Sequence, residues 1–275
     1  MSFTLGTYQL DAATSFGPRI TSLRRNGGPE ILVSLDEDVK IEQAGAPYVF
    51  RGGHRLWAAP ETPAVTYAPD DHDCEVITSK GSVAISAPPD RAGISKHVVV
   101  SPKGDGLAVL HRLTFGSNDA DPIAPWAITQ FPLGGHAIMP LIGGDTGPLP
   151  NRNLVLWPYT RVDDPRVVFR ANAVIVSAVA GEKLKLGTGP NPGRLGYLRD
   201  GWLFLKTVEP GDGRPYPDLG AVGQVYVGDG FCELESVGPM SVAASGRSAT
   251  LTEDWCVIQC DSIDEACEMV IGDPQ

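Results

Sequence analysis

Three short stretches of the chain hold residue types that could act together on a polar substrate. The first is Arg51-Gly52-Gly53-His54-Arg55-Leu56-Trp57, followed by Pro60 and Glu61. It combines a group that titrates near neutrality, a bidentate donor and an aromatic stacking face. Its two glycines would let backbone approach a ligand closely. An apolar platform with a few convergent donors is what a sugar site requires. The plainer alternative puts Trp57 in the core and the two cations on a solvated turn.

The second stretch runs from Trp126 to Pro140 and reads as a strand, a Gly134-Gly135 turn and a further strand beginning at His136. A histidine placed there could serve a site or simply sit at the surface. The third stretch joins Phe204-Leu205-Lys206, Tyr216-Pro217-Asp218 and Phe231-Cys232-Glu233-Leu234-Glu235. On a strand Glu233 and Glu235 share a side, because side chains alternate. Neighbouring carboxylates raise one another's proton affinity, which moves one of them toward general-base range. Cys232 and Leu234 then face the core. Otherwise the glutamates form a solvated edge, or Lys206 neutralises them. His72, His97 and His111 lack chemical neighbours in the sequence and read as structural.

Other chemistries find no support. The stretch Gly187 to Gly193 lacks the glycine spacing and following helix of a phosphate-binding loop. There is no Gly-x-Ser-x-Gly elbow, no His-Glu-x-x-His pair and no Cys-x-x-Cys pair. No metal site is expected. The five cysteines are an odd count spread along the chain, which fits reduced, buried thiols better than a disulfide framework.

The elements that must carry these groups are strands. Thirty-two glycines and 24 prolines in 275 residues disfavour a helical bundle. Alternating or β-branched runs predict strands over 2–10, 19–25, 30–35, 64–68, 74–79, 82–87, 95–101, 106–115, 126–131, 136–142 and 153–157. More follow over 173–178, 183–187, 195–199, 201–207, 222–228, 230–236, 239–244 and 248–260. Asn26-Gly27, Lys103-Gly104, Asp200-Gly201 and Asp229-Gly230 are turn signals between them. So many strands exceed a single open sheet, so two large sheets must stack. Ser262-Ile263-Asp264-Glu265 has the pattern of a helix-capping box, and Gly272 can end that one short C-terminal helix. No composition shift or repeat divides the chain, so residues 1–275 are expected to form one domain, with long loops over 143–152 and 208–221.

Charge excludes some partners. Twenty-two basic against 33 acidic residues give a formal charge of −11, and no Lys/Arg cluster makes a local exception. Nucleic acid and anionic membrane faces would repel that field. No apolar run reaches the roughly 20 residues of a membrane helix. The opening MSFTLGTYQLDAATSFG lacks a basic region followed by an apolar one, so a cytoplasmic location is expected.

Taken in order, the segments GGHRLW, APWAITQFPLGGHAIMP, LWPYTRVDDPR, KLGTGPNPG with GWLFLKT, YPDLG, and FCELESVGP with TEDW resemble bacterial galactose-mutarotase-like proteins over residues 15–258. The resemblance implies an all-β fold, a two-sheet β-supersandwich with a ligand cleft on the concave face of one sheet. It also implies the chemistry of aldose 1-epimerases. There a late-strand glutamate removes the C1 hydroxyl proton and a histidine protonates the ring oxygen. The ring opens, the C1–C2 bond rotates, and closure gives the other anomer. On this sequence the glutamate is Glu233 or Glu235, and the acid is His54. Arg55, Trp57, His136, Lys206, Tyr216 and Asp218 are the expected substrate-binding residues. The epimerases' central histidine segment, with an aromatic and an asparagine after it, is absent, since His136 precedes Ala137-Ile138-Met139. No cofactor is implied, and the expected partner is a small-molecule carbohydrate. Two other readings stand beside this one. The first is a non-catalytic carbohydrate-binding domain, which the missing segment favours. The second is a lyase or hydrolase on glycosides or uronic acids, with Arg55 and Lys206 holding a carboxylate.

Overall fold

A computed structural model describes the chain except residues 44, 117–120, 142, 144, 190–192, 209, 210, 212, 243–245 and 273–275. Among the described residues the strands form two large antiparallel sheets, of nine and ten strands, and a two-stranded ribbon. The first sheet runs in the order Ser2–Leu5, Tyr8–Ala12, Arg19–Arg25, His54–Ala59, Ala124–Phe131, Cys232–Val237, Gly223–Val227, Leu184–Thr188, Leu154–Leu156. In the second the order is Val167–Phe169, Ala173–Ser177, His136–Pro140, Arg194–Arg199, Trp202–Val208, Ser248–Gln259, Gly106–Phe115, Ile94–Lys103, Ser82–Ser86, Glu75–Ser79. The ribbon pairs Lys40–Ile41 with Tyr48–Val49.

The facing sides of the sheets enclose one apolar cluster. Ile20, Leu23, Leu56, Phe131 and Leu234 come from the first sheet, and Val98, Val109, Phe204, Trp255 and Val257 from the second. The outer face of the second sheet is covered by the helix Ile263–Ile271, whose Ala266, Cys267 and Val270 pack on Ile138, Ile175 and Leu203. The Ser262 hydroxyl accepts the Glu265 amide, and Gly272 ends the helix at φ 68°. The outer face of the first sheet carries Trp57, Trp126 and Val237, grouped with Tyr48 from the ribbon. That is the face on which the cleft forms.

Most expected strands are present, and the exceptions have physical causes. The run 2–10 is a hairpin, turning at Gly6 with φ 59° so that Leu5 pairs with Tyr8. Residues 30–35 and 239–244 make only isolated bridges, Ser34 to Gly52 and Ser241 to Ile123, with 243 and 244 outside the described residues. The run 64–68 begins inside a short helix, Pro63–Thr66, because Pro63 suits a first helical turn. His54–Ala59, read only as a site segment, is a central strand. Both of its faces are covered, so its sequence does not alternate in polarity. At Asp200-Gly201 both residues take positive φ, 51° and 77°, the geometry of a tight hairpin turn. Residue 142 of the expected strand 136–142, residue 144 of one expected loop and residues 209, 210 and 212 of the other lie outside the described residues.

Candidate active site

Antiparallel register decides which side chains share the cleft face. Arg55 pairs with Ile128 and Ile128 with Glu235, while Gln130 pairs with Glu233, Tyr226 with Glu233 and Lys185 with Tyr226. Directly paired residues project to the same side, so these groups line one floor. The ribbon residues Lys40 and Ile41, Glu61 and Tyr67 on either side of the helix Pro63–Thr66, and Tyr159 wall it in. The resulting cleft has a volume of about 350 Å³. Phe50, Trp57, Tyr67, Trp126, Tyr159, Tyr226 and Phe231 line it together with Arg55, Lys185, Glu233 and Glu235.

Two ion pairs order the floor. Arg55 Nη2 donates to Glu233 Oε1 at 2.9 Å, and Gln130 Nε2 reaches the same oxygen at 2.9 Å. The Arg55 guanidinium lies over the Trp57 ring at 4.1 Å and the Phe50 ring at 5.1 Å. Lys185 Nζ donates to Glu235 Oε2 at 2.8 Å, and the Trp126 indole donates to that oxygen at 2.7 Å. The lysine sits between two indoles, 4.5 Å from Trp126 and 4.6 Å from Trp157. Burial pushes the Glu235 carboxyl above its ordinary range. The Lys185 ammonium pulls it back in part, and the Glu233 charge adds to the rise. Its second oxygen, Oε1, has no hydrogen-bond partner among the described residues, and neither do Gln130 Oε1, Arg55 Nε, Arg55 Nη1 and Trp57 Nε1. Tyr159 overhangs this floor. Burial first, then the charge of Glu235, holds its hydroxyl above the usual phenol range, so it keeps its proton at neutral pH.

The cleft gathers Glu233, Glu235, Arg55 and Trp57 from the expected residues and leaves the others elsewhere. His54 lies on the opposite side of its strand, fully buried between the sheets. There its Nε2 meets His111 Nε2 at 2.7 Å and its Nδ1 meets the Thr129 hydroxyl at 2.9 Å. The Leu251 carbonyl, 3.1 Å from His111 Nδ1, can only accept, so both rings have defined tautomers: His54 Nε2 donates to His111, and Thr129 donates to His54. Burial first, then the neighbouring His111, hold His54 well below the usual imidazole range. It is a neutral core group with no access to the cleft. His136 opens a strand of the second sheet, exposed, with Ser177 beside it at 3.4 Å. Lys206 is buried between the sheets and pairs with Glu253, so the expected clamp of Arg55 and Lys206 on a carboxylate does not form. Tyr216 stands outside the cleft lining, and Asp218 instead accepts from Gln224 at 3.0 Å. The two glycines before His54 serve backbone, not ligand: a Cβ on Gly52 would stand 2.0 Å from the Val33 carbonyl oxygen, and one on Gly53 2.3 Å from that of Ile20.

Sequence reasoning missed Lys185, Gln130 and Tyr159 and gave Trp126 no role. Alternation in the strand Leu184–Thr188 places Lys185 with Gly187 on one side, a signal that marks the residue but not its partner. Among the described residues, His54, His111 and Glu253 cluster closely enough to hold a metal ion. Their donor atoms are already engaged with one another, with Thr129, Leu251 and Trp255, and with the Lys206 ammonium. A cation beside that ammonium would be repelled, so these residues fit a hydrogen-bonded network rather than a metal site.

No family model matches the chain, and no curated protein does. Solved structures do. A galactose mutarotase-like protein from Lactobacillus casei ATCC 334 superposes with a TM-score of 0.57 at 10% identity, covering 94% of this chain and 99% of that one. A galactose mutarotase related enzyme from Lactobacillus acidophilus gives 0.54 at 9% identity, over 95% and 99%. A TPR-domain containing protein from Parabacteroides distasonis ATCC 8503 gives 0.60 at 11% identity, over 96% of this chain and 47% of that one. The chain therefore has the galactose mutarotase-like fold, a two-sheet antiparallel β-sandwich with one short C-terminal helix. No helix among the described residues is long and apolar enough to cross a membrane.

Proposed function

We propose that the cleft binds a carbohydrate and interconverts its anomers by acid–base catalysis. One observation carries this reading. Glu235 Oε1, two Arg55 nitrogens and the Trp57 indole nitrogen belong to residues lining one cleft and are buried without partners among the described residues, beneath aromatic walls. Buried polar groups are normally paired. Sugar hydroxyls both donate and accept, and sugar C–H faces stack on aromatic rings, so a pyranose answers donors, acceptors and walls together.

In this reading Glu235 Oε1 takes the proton of the anomeric hydroxyl. As C1 becomes a carbonyl, the bond from C1 to the ring oxygen breaks, and that oxygen receives the Tyr159 proton. The C1–C2 bond rotates, and the same transfers in reverse close the ring. The raised proton affinity of Glu235 suits a base working near neutrality. Arg55, fixed by Glu233, holds a neighbouring hydroxyl. The test is saturation-transfer NMR of anomer exchange over a panel of neutral and acidic sugars. Acceleration that is lost in Glu235→Gln supports the reading; unchanged exchange with wild-type protein refutes the catalytic part.

A second reading, non-catalytic carbohydrate binding, is favoured by the ion pairing of both floor carboxylates. The Parabacteroides distasonis match, where the same fold occupies about half of a longer chain, is in keeping with it. It predicts line broadening of a bound sugar with no change in anomer exchange.

A further inference from the structure

The interior directly behind the cleft floor is polar where apolar packing is often at least as stable. Lys206, on the strand Trp202–Val208 of the second sheet, pairs with Glu253 at 3.0 Å, and both side chains are wholly buried. Its ammonium crosses to the first sheet and donates to the Leu234 carbonyl at 2.8 Å and to the Ala127 carbonyl at 3.4 Å. Three donors thus meet three acceptors. The two carbonyls belong to the paired strands that present Glu233, Glu235, Trp126 and Gln130 on the other side. Glu253 is fixed in turn by the Trp255 indole at 2.7 Å and by Ser236, the residue after Glu235.

We propose that Lys206 is a positioning residue for the cleft, clamping the two floor strands from behind and setting a buried positive charge beneath Glu235. Glu235 is otherwise faced by Lys185, Trp126, Tyr159, Tyr226, its strand neighbour Glu233 and its cross-strand neighbour Gln224. Lys206 feels the floor carboxylates in return. Burial pushes its ammonium toward the neutral form, while Glu253 foremost, then Glu235 and Glu233, favour the charge. The inference rests on the acid–base reading of the cleft for its consequence, but its test requires no ligand.

The Trp126 indole N–H donates to Glu235, so its 15N–1H resonance reports the ionisation of that carboxyl. The experiment follows this signal between about pH 4 and 9 in wild type and Lys206→Gln, whose amide keeps a donor for the Leu234 carbonyl. A second comparison sets Glu253→Gln against Lys206→Gln/Glu253→Gln, which avoids an uncompensated buried carboxylate. Loss of the ammonium is expected to raise the titration midpoint by roughly half a pH unit or more in each background. An unchanged or lowered midpoint in a folded variant overturns the proposal. Failure of both Lys206 variants to fold also overturns it, because the pair would then be a requirement of the core. If wild-type protein binds no sugar, the function above fails while the titration still decides the role of Lys206.

Discussion

His54 and Arg55 are neighbours in the chain that serve opposite sides of one strand. The His54 ring is 2.7 Å from His111 between the sheets, and the Arg55 guanidinium is 2.9 Å from Glu233 on the cleft floor. A segment that reads as one site is therefore split between core and cleft, and the two residues should respond differently to replacement.

Replacing His54 should cost stability rather than function. His54→Ala removes two buried hydrogen bonds and leaves a void against Trp255, whose ring centroid lies 4.6 Å away. A loss of about 2–4 kcal/mol is expected in urea unfolding. Sugar binding by the folded fraction should stay within about threefold of wild type, a change of under 1 kcal/mol. A variant of native stability without binding would return His54 to the site.

Glu235→Gln should show the reverse pattern. Removing the base should slow anomer exchange by at least roughly 100-fold. The variant leaves the Lys185 charge buried without its partner carboxylate, so circular dichroism and melting must accompany the kinetics. Exchange within a few fold of wild type in folded protein would exclude Glu235 as the base.

Tyr159 offers a cleaner separation of chemistry from folding, because it is 43% exposed. Tyr159→Phe keeps the ring and removes the proton. Exchange should fall by about 10²-fold or more, with the melting temperature unchanged. Full activity would assign the ring-oxygen proton to another donor.

The two buried histidines predict a pH dependence of folding. Burial lowers both below the usual imidazole range. The His111 charge adds to the effect at His54, and Glu253 partly offsets it at His111. In the unfolded chain each takes a proton near pH 6.5, whereas the folded pair stays neutral to lower pH. Their contribution is thus complete above about pH 6.5 and is lost as the pH falls below it. The slope grows as the pH falls through about 6.5 and is bounded by about 1.4 kcal/mol per pH unit for each histidine. Urea unfolding at several pH values between 7.5 and 5 measures it, and a flat profile would show that the folded pair binds protons as readily as the unfolded chain.

Much of the architecture was legible locally. The hairpin at Asp200-Gly201, the capped helix after Ser262 and most of the strand runs follow from turn chemistry, capping and alternation, all short-range properties. The strand His54–Ala59 was not legible, because a strand covered on both faces has no alternation to read. The site was half legible for a related reason. Glu233 and Glu235 could be placed on one face from their spacing, but Lys206 could not be told from Lys185 as their neighbour. Both lysines sit in strands, and only the tertiary pairing sends one to the cleft and the other to the core.

By itself the sequence determined that Glu233 and Glu235 stay together, since they fall two apart in a legible strand run. That His54 and Arg55 part emerged only with the strand His54–Ala59, which the sequence did not reveal. The sequence did not determine which face would meet the partner sheet. That choice comes from burial summed over both sheets, where Leu56, Leu234 and Phe131 on one side outweigh the amphipathic rings on the other. Nor could local pattern bring Lys185, Trp126 and Tyr159 to one carboxylate, because each arrives from a different segment. Contacts between segments distant in the chain carry no local periodicity, so only the folded arrangement could decide them.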